Sequence, residues 1–140
     1  MSARILVVDD LEANRRLLQA KLTADYYEVL LAQRGEEAVQ MARREKPDLI
    51  LLDVMMPGGI DGYEACRRLK AQPETRHIPV IILTTLDDRD NKVRGLQAGA
   101  EEFLTKPIDD VQLMARVKSL LSLKVVIDEL RARETSGKRL

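Results

Sequence analysis

In Leu49-Ile50-Leu51-Leu52-Asp53 four consecutive aliphatic side chains run straight into a carboxylate. No polar residue alternates with them. That continuity predicts a strand buried on both faces, as in a parallel sheet covered by helices on each side. Two other runs repeat the pattern: Ile5-Leu6-Val7-Val8 ends at Asp9-Asp10, and Val80-Ile81-Ile82-Leu83 ends at Thr84-Thr85. Tyr27–Ala32 and Glu102–Thr105 are weaker strand candidates. Helical patterns lie between and after them, over Leu11–Ala24, Gly35–Glu45, Tyr63–Ala71 and Arg89–Ala98, and from Asp109 onward. Pro47 forbids the second helix from continuing, and Gly99 suits the position just past the end of the fourth. Five βα units in succession predict a doubly wound α/β domain with a five-stranded parallel sheet.

Composition narrows the function classes. The chain has 140 residues, with 23 Lys+Arg against 23 Asp+Glu, so its formal net charge is zero. It carries no basic nucleic-acid footprint. Its aromatics, Tyr26, Tyr27, Tyr63 and Phe103, are too few for a base-stacking platform. The one cysteine, Cys66, excludes an internal disulfide and a cysteine metal cluster, and reads as a small buried hydrophobe. No apolar run approaches the ~18 residues of a membrane span, and no secretory leader pattern is visible, so a cytoplasmic protein without membrane attachment is expected.

Strands of a parallel sheet all point one way. Asp9, Asp10, Asp53, Thr84 and Lys106 each follow a strand, so all fall at the carboxyl edge, where open α/β sheets bind ligands. Packing does not require three carboxylates, a hydroxyl and an amine to converge there. Close carboxylates repel and raise one another's pKa, and a divalent cation relieves this. Oxygen-only ligands point to a hard ion such as Mg²⁺. Lys106 supplies a compact positive charge and Thr84 a hydroxyl, a set suited to phosphoryl transfer onto a carboxylate.

These residues bear a resemblance. Asp9-Asp10, Asp53-Val54-Met55-Met56-Pro57, Thr84 and Lys106-Pro107 resemble the receiver domain of two-component response regulators, over residues 3 to about 122. The resemblance implies a flavodoxin-like, CheY-like (βα)5 fold with strand order 2-1-3-4-5. It implies Asp53 as phosphoacceptor and Asp9, Asp10, Asp53 and the Met55 backbone carbonyl as Mg²⁺ ligands. It implies Thr84 as the hydroxyl that moves to the phosphoryl group, Lys106 as that group's cationic partner, and Phe103 at the aromatic switch position. The phosphoryl donor would be a sensor histidine kinase or a phosphotransfer protein. The opening Met1–Lys21, Arg76–Val80, Phe103–Asp110 and Val126–Arg131 are similar to the first receiver of PleD-type regulators. Those carry a second receiver-like adaptor and a GGDEF diguanylate cyclase domain. No Gly-Gly-Asp-Glu-Phe string occurs here.

Two departures stand out. Gly62 follows Asp53 by nine residues, where the family usually has eight, so Pro57–Gly62 holds one extra residue. Met55 precedes the insertion, so its carbonyl should still reach the metal. Thr85 occupies a site where a small residue is common, which narrows access to the acceptor. Single residues keep blander readings. Asp10 suits a helix cap, Phe103 suits a static core ring, His77 reads as surface loop, and Met55, Met56 and Met114 read as packing. Competing functions fare less well. A phosphatase with an aspartyl nucleophile wants a carboxylate at Met55, a nucleotide switch wants a glycine-rich loop ending in Lys-Ser/Thr, and Asp9-Asp10 would repel a flavin phosphate. The intact set of Asp9, Asp10, Asp53, Thr84 and Lys106 argues against a degenerate receiver serving as a dimer scaffold, and a stand-alone response regulator acting by protein contacts stays open.

The last helix outruns the domain. From Asp109 to Arg133 no Pro or Gly interrupts it, whereas Glu134–Leu140 reads as linker. Residues 1–122 are therefore expected as receiver and 123–140 as extended helix and linker toward a downstream domain. Leu113, Leu120, Leu123, Ile127 and Leu130 form a stripe broken by Arg116. Its second half has nothing in the chain to cover it, which predicts a contact surface. The partner is either a second copy, which by the same resemblance is held more tightly after phosphorylation, or a downstream domain.

Overall fold

The computed structural model describes residues 2–86 and 88–138, with side chains through 133. The elements run β1 (Arg4–Val8), α1 (Glu12–Ala24), β2 (Glu28–Ala32), α2 (Gly35–Glu45), β3 (Leu49–Asp53), α3 (Gly62–Ala71), β4 (Val80–Thr84), α4 (Arg89–Gln97), β5 (Glu102–Thr105) and α5 (Asp110–Lys138). The strands form one parallel sheet in the order β2-β1-β3-β4-β5. The expected doubly wound, flavodoxin-like α/β architecture is present.

The unbroken apolar runs serve two cores at once. Leu6, Val8, Ile50, Leu52, Val80 and Ile82 face Ala38, Ala42, Cys66 and Leu69 of α2 and α3. Ile5, Val7, Leu49, Leu51, Ile81 and Leu83 face Leu18 and Leu22 of α1 and Leu113 and Val117 of α5. Alternation is still present, but both faces are dry, so the sequence reads continuous. Gly99 takes φ +97° behind α4. Its N–H bonds to the Leu96 carbonyl and that of Ala100 to the Gly95 carbonyl, which closes the helix end.

Two helices pack differently from their apolar patterns. In α4, Val93 and Leu96 are exposed and Gly95 is the buried residue. Without a side chain there the helix backbone comes down on Phe103, whose ring would lie 2.9 Å from a Cβ at position 95. In α5 the buried seam runs through Leu113 and Val117, with Leu120 and Leu121 half-buried. Arg116 lies off that seam and pairs with Glu102 at 3.8 Å. Lys124 continues the seam in polar form, reaching Asp48 at 3.5 Å and Asp128 at 2.6 Å. Leu123, Val126 and Leu130 are 52%, 51% and 53% exposed, as expected for an overhang.

The linker expected from residue 134 is corrected in part. Helix continues to Lys138, and 139 and 140 lie outside the described residues. Gly137 stands one residue before the helix end, and even in a helix interior a glycine costs only about 1 kcal/mol. The 29 residues of α5 span roughly 44 Å.

Candidate functional site

The carboxyl edge of the sheet gathers the acidic residues. Asp53 closes β3, opposite Leu83, and is 6% exposed. Asp9 follows β1 and is held from several sides. Its N–H donates to the Ala32 carbonyl at 3.1 Å, its Oδ1 accepts from the Leu11 N–H at 2.9 Å, and its carbonyl accepts from Arg15 Nη1 at 2.6 Å. Asp10 is half-buried, and one carboxylate oxygen from each of Asp9, Asp10 and Asp53 lies within 4.8 Å of the others. The capping reading of Asp10 is corrected, because the N-cap of α1 is Leu11. Asp9 satisfies the Leu11 amide, which leaves the Asp10 carboxylate free for the cluster.

Lys106 reaches in from the far side. Its N–H donates to the Thr84 carbonyl at 2.7 Å, which carries the β4–β5 pairing one step past the strands. Its Nζ then stands 3.4 Å from Asp9 Oδ2 and 3.3 Å from Asp53 Oδ1. Burial pushes the Asp53 carboxyl up to about 6, with Lys106 opposing and Asp9 adding repulsion. One amine against three carboxylates leaves negative charge uncompensated. A hard divalent cation fits that donor set of carboxylate oxygens.

Thr84 lies at the same edge, almost fully buried, and its Oγ1 accepts from the Leu86 N–H at 3.1 Å. Phe103 is half-buried on β5 beside the core and against Gly95. Met55 is two residues past Asp53, and its side chain is 59% exposed, which corrects its reading as packing. It sits beyond the strand end, where the sheet no longer offers a face to bury against. Met56 is buried and Met114 half-buried, as expected.

Two single residues fall away from the site. Cys66 is buried, donates to the Ala98 carbonyl at 3.4 Å, and burial raises its thiol to about 11. His77 precedes β4 and so sits near the opposite edge, half-buried rather than fully on the surface, with a buried Nδ1 lacking a hydrogen-bond partner among the described residues. Burial, then Arg131 and Lys124, hold its pKa below the usual value.

Sequence reasoning missed Arg15, whose buried guanidinium caps the Asp9 carbonyl. An arginine inside an amphipathic helix reads as solvated surface, and only the folded path of Asp9 supplies its partner.

Comparisons with known proteins agree with this fold. The chain is 64% identical over 140 residues to the response regulator PleD of Caulobacter vibrioides, all of this chain and 31% of that protein. The chain therefore spans about a third of PleD. It is 43% identical over 120 residues to the protein PilH of Pseudomonas aeruginosa, 86% of this chain and 98% of PilH. Among solved structures, the receiver domain of a Pseudomonas aeruginosa sensor histidine kinase, with a magnesium ion coordinated in its active site cleft, superposes with a TM-score of 0.80. It is 33% identical and covers 87% of this chain and 99% of that one. Among the described residues no helix is long and apolar enough to cross a membrane. The model of the response regulator receiver domain matches residues 5–118, and with these relatives it establishes that the chain belongs to the receiver domain family of two-component response regulators.

Proposed function

We propose that Asp53 accepts a phosphoryl group from the histidine of a sensor kinase or phosphotransfer protein, and that the chain then changes its contacts with partners. The observation that carries this is the juxtaposition of three carboxylates within 4.8 Å with the Lys106 amine 3.3 Å from Asp53. Asp9, Asp10, Asp53 and the Met55 carbonyl would hold Mg²⁺, which supplies neutralisation of charge on the transferring oxygens. An Asp53 oxygen attacks phosphorus as the bond from phosphorus to the imidazole nitrogen breaks, and the imidazole keeps that electron pair. Lys106 balances charge on the product. Thr84 leaves the Leu86 amide to donate its hydroxyl to the phosphoryl group. Phe103 and α4 then reposition, a change supported by how lightly α4 is held, with Gly95 its buried residue. Incubation with acetyl phosphate and Mg²⁺ should add one phosphoryl mass to the intact protein. Absence of the adduct would overturn the reading.

The phosphorylated form should be long-lived. The residues two beyond Asp53 and Thr84 are Met55 and Leu86, and neither can orient an attacking water. Met55→Asn combined with Leu86→Glu should shorten the lifetime of the acyl phosphate severalfold. A double variant no faster than wild type would remove water positioning as the limiting factor.

The output belongs to the same proposal. The domain boundary is placed near residue 122, with the α5 overhang as the connection to an adaptor and GGDEF cyclase of a PleD-like parent. Similarity to PleD along all 140 residues favours this, while the match to nearly all of PilH favours a stand-alone regulator acting in the cytoplasm by protein contacts. The stripe of Leu123, Val126, Ile127 and Leu130 is exposed, and two heptads are too short for a stable coiled coil alone. We therefore expect a monomer or weak dimer that associates more tightly with beryllofluoride at Asp53. Sedimentation with and without the mimic checks this. A monomer in both states at high concentration would assign the stripe to a downstream domain.

A further inference from the structure

The loop that carries the extra residue lies against the first turn of α2. The Ile60 N–H donates to Glu36 Oε1 at 2.5 Å. Gly59 passes so close to the same carboxylate that a Cβ there would lie 2.6 Å from both of its oxygens. The Ile60 side chain in turn rests on Gly35, where a Cβ would be 2.6 Å from Ile60 Cγ1. The Ile60 amide is the main reason the Glu36 carboxyl lies below its usual range, so this acceptor stays charged near neutral pH.

The two ends of the loop meet at Val54, next to Asp53. Gly62 donates to the Val54 carbonyl at 3.0 Å, and a Cβ at Gly62 would sit 2.3 Å from the Asp53 carbonyl. Residues 54–61 therefore leave and return at the acceptor. Met56 is buried and pins the first half. Gly58, at φ +90° with open space around it, adds freedom at the middle. The Glu36 carboxylate fixes the second half.

We propose that Glu36 is a positioning residue for the acceptor site, clamping the lengthened loop so that the Met55 carbonyl and the mouth above Asp53 keep one arrangement. This rests on the reading of Asp53, Asp9 and Asp10 as the Mg²⁺ and phosphoryl site. A loop with one more residue has more conformations to lose when the cation and the donor bind, and a preformed loop has already lost them.

Two variants release the clamp from opposite sides. Glu36→Ala removes the acceptor. Gly59→Ala keeps Glu36 but pushes its carboxylate away from the amide, and the backbone of Gly59 is not in the positive-φ region, so alanine is tolerated there. Both should speed exchange of the Ile60 amide hydrogen. Both should raise the Mg²⁺ dissociation constant and the acetyl phosphate half-saturation about three- to tenfold, with the saturated rate within about twofold of wild type. Glu37→Ala, whose carboxylate accepts from the Gln33 N–H instead, should leave Mg²⁺ affinity unchanged. Loss of α2 stability alone would lower the thermal midpoint without this split between half-saturation and saturated rate. Unchanged Ile60 exchange in both variants, or faster exchange with unaltered Mg²⁺ affinity and half-saturation, overturns the proposal. An equal effect from Glu37→Ala also overturns it, as an effect of helix-end charge. Failure of the wild type itself to bind Mg²⁺ or take a phosphoryl group sinks the site reading and the clamp with it, an outcome distinct from variants that match a working wild type.

Discussion

Asp53→Asn is expected to abolish the phosphoryl adduct and, at the same time, to stabilise the unliganded protein near neutral pH. The first effect follows from chemistry, since the amide is not a competent nucleophile toward phosphorus. The second follows from the environment of the carboxyl, raised from 3.8 to about 6 by burial and by Asp9. Between those two values the folded chain binds a proton that the unfolded chain does not. Stability from this group is therefore present below pH 4 and is lost as pH rises through about 6. A rise of that size sets the loss at pH 7 on the order of 3 kcal/mol, an upper figure because the structure can relax. The asparagine side chain has no charge to desolvate and avoids the loss. Urea or thermal midpoints at pH 7 should rise in the variant, and the gap should close toward pH 4. Added Mg²⁺ should narrow it too, by binding wild type more tightly than the variant. An adduct retained on Asp53→Asn would remove Asp53 as the acceptor. A variant no more stable than wild type at pH 7 would mean that the carboxylate is better solvated than its 6% exposure implies.

Asp10→Ala should cost the protein its metal. Few protein atoms hold Mg²⁺ in such a site and waters complete the shell, so losing one carboxylate should weaken binding by about tenfold or more. Phosphorylation by acetyl phosphate should fall in parallel. Asp10 suits this test better than Asp9. Asp9 also holds the Leu11 amide and lies beside Lys106, so its removal would disturb the start of α1. Asp10 caps nothing, and its variant should keep the thermal midpoint within a few degrees of wild type. Calorimetric titration at fixed pH measures the change, and unaltered Mg²⁺ affinity would contradict the role.

Much of this was legible in order along the chain. The runs at Ile5, Leu49 and Val80 declared strands buried on both faces, and every helix between them began and ended within a residue or two of its expected position. Once the strands are parallel, a residue that follows a strand must lie at the carboxyl edge. Asp9, Asp10, Asp53, Thr84 and Lys106 therefore shared one edge on the strength of strand order alone. Local periodicity carries this information because strand direction and side-chain spacing are properties of consecutive residues.

The phase of a helix against its neighbours is not such a property. The stripe of Leu113, Leu120, Leu123, Ile127 and Leu130 left out Val117, which α5 turns inward with Leu113 ahead of the half-buried Leu120 and Leu121, and the seam then passes to Lys124, which finds Asp48 from a loop far away in the chain. In α4 the exposed Val93 and Leu96 and the buried Gly95 go with the bulk of Phe103, a residue on β5. Arg15 and Glu36 drew no attention in the sequence because their partners, the Asp9 carbonyl and the Ile60 amide, are backbone groups that any residue carries. Sequence by itself determined the strands, their edge and the chemistry gathered there. Tertiary structure decided which polar side chains hold that edge in place, because a backbone donor or acceptor has no signature in the sequence until the fold leaves it unpaired beside a side chain that can reach it.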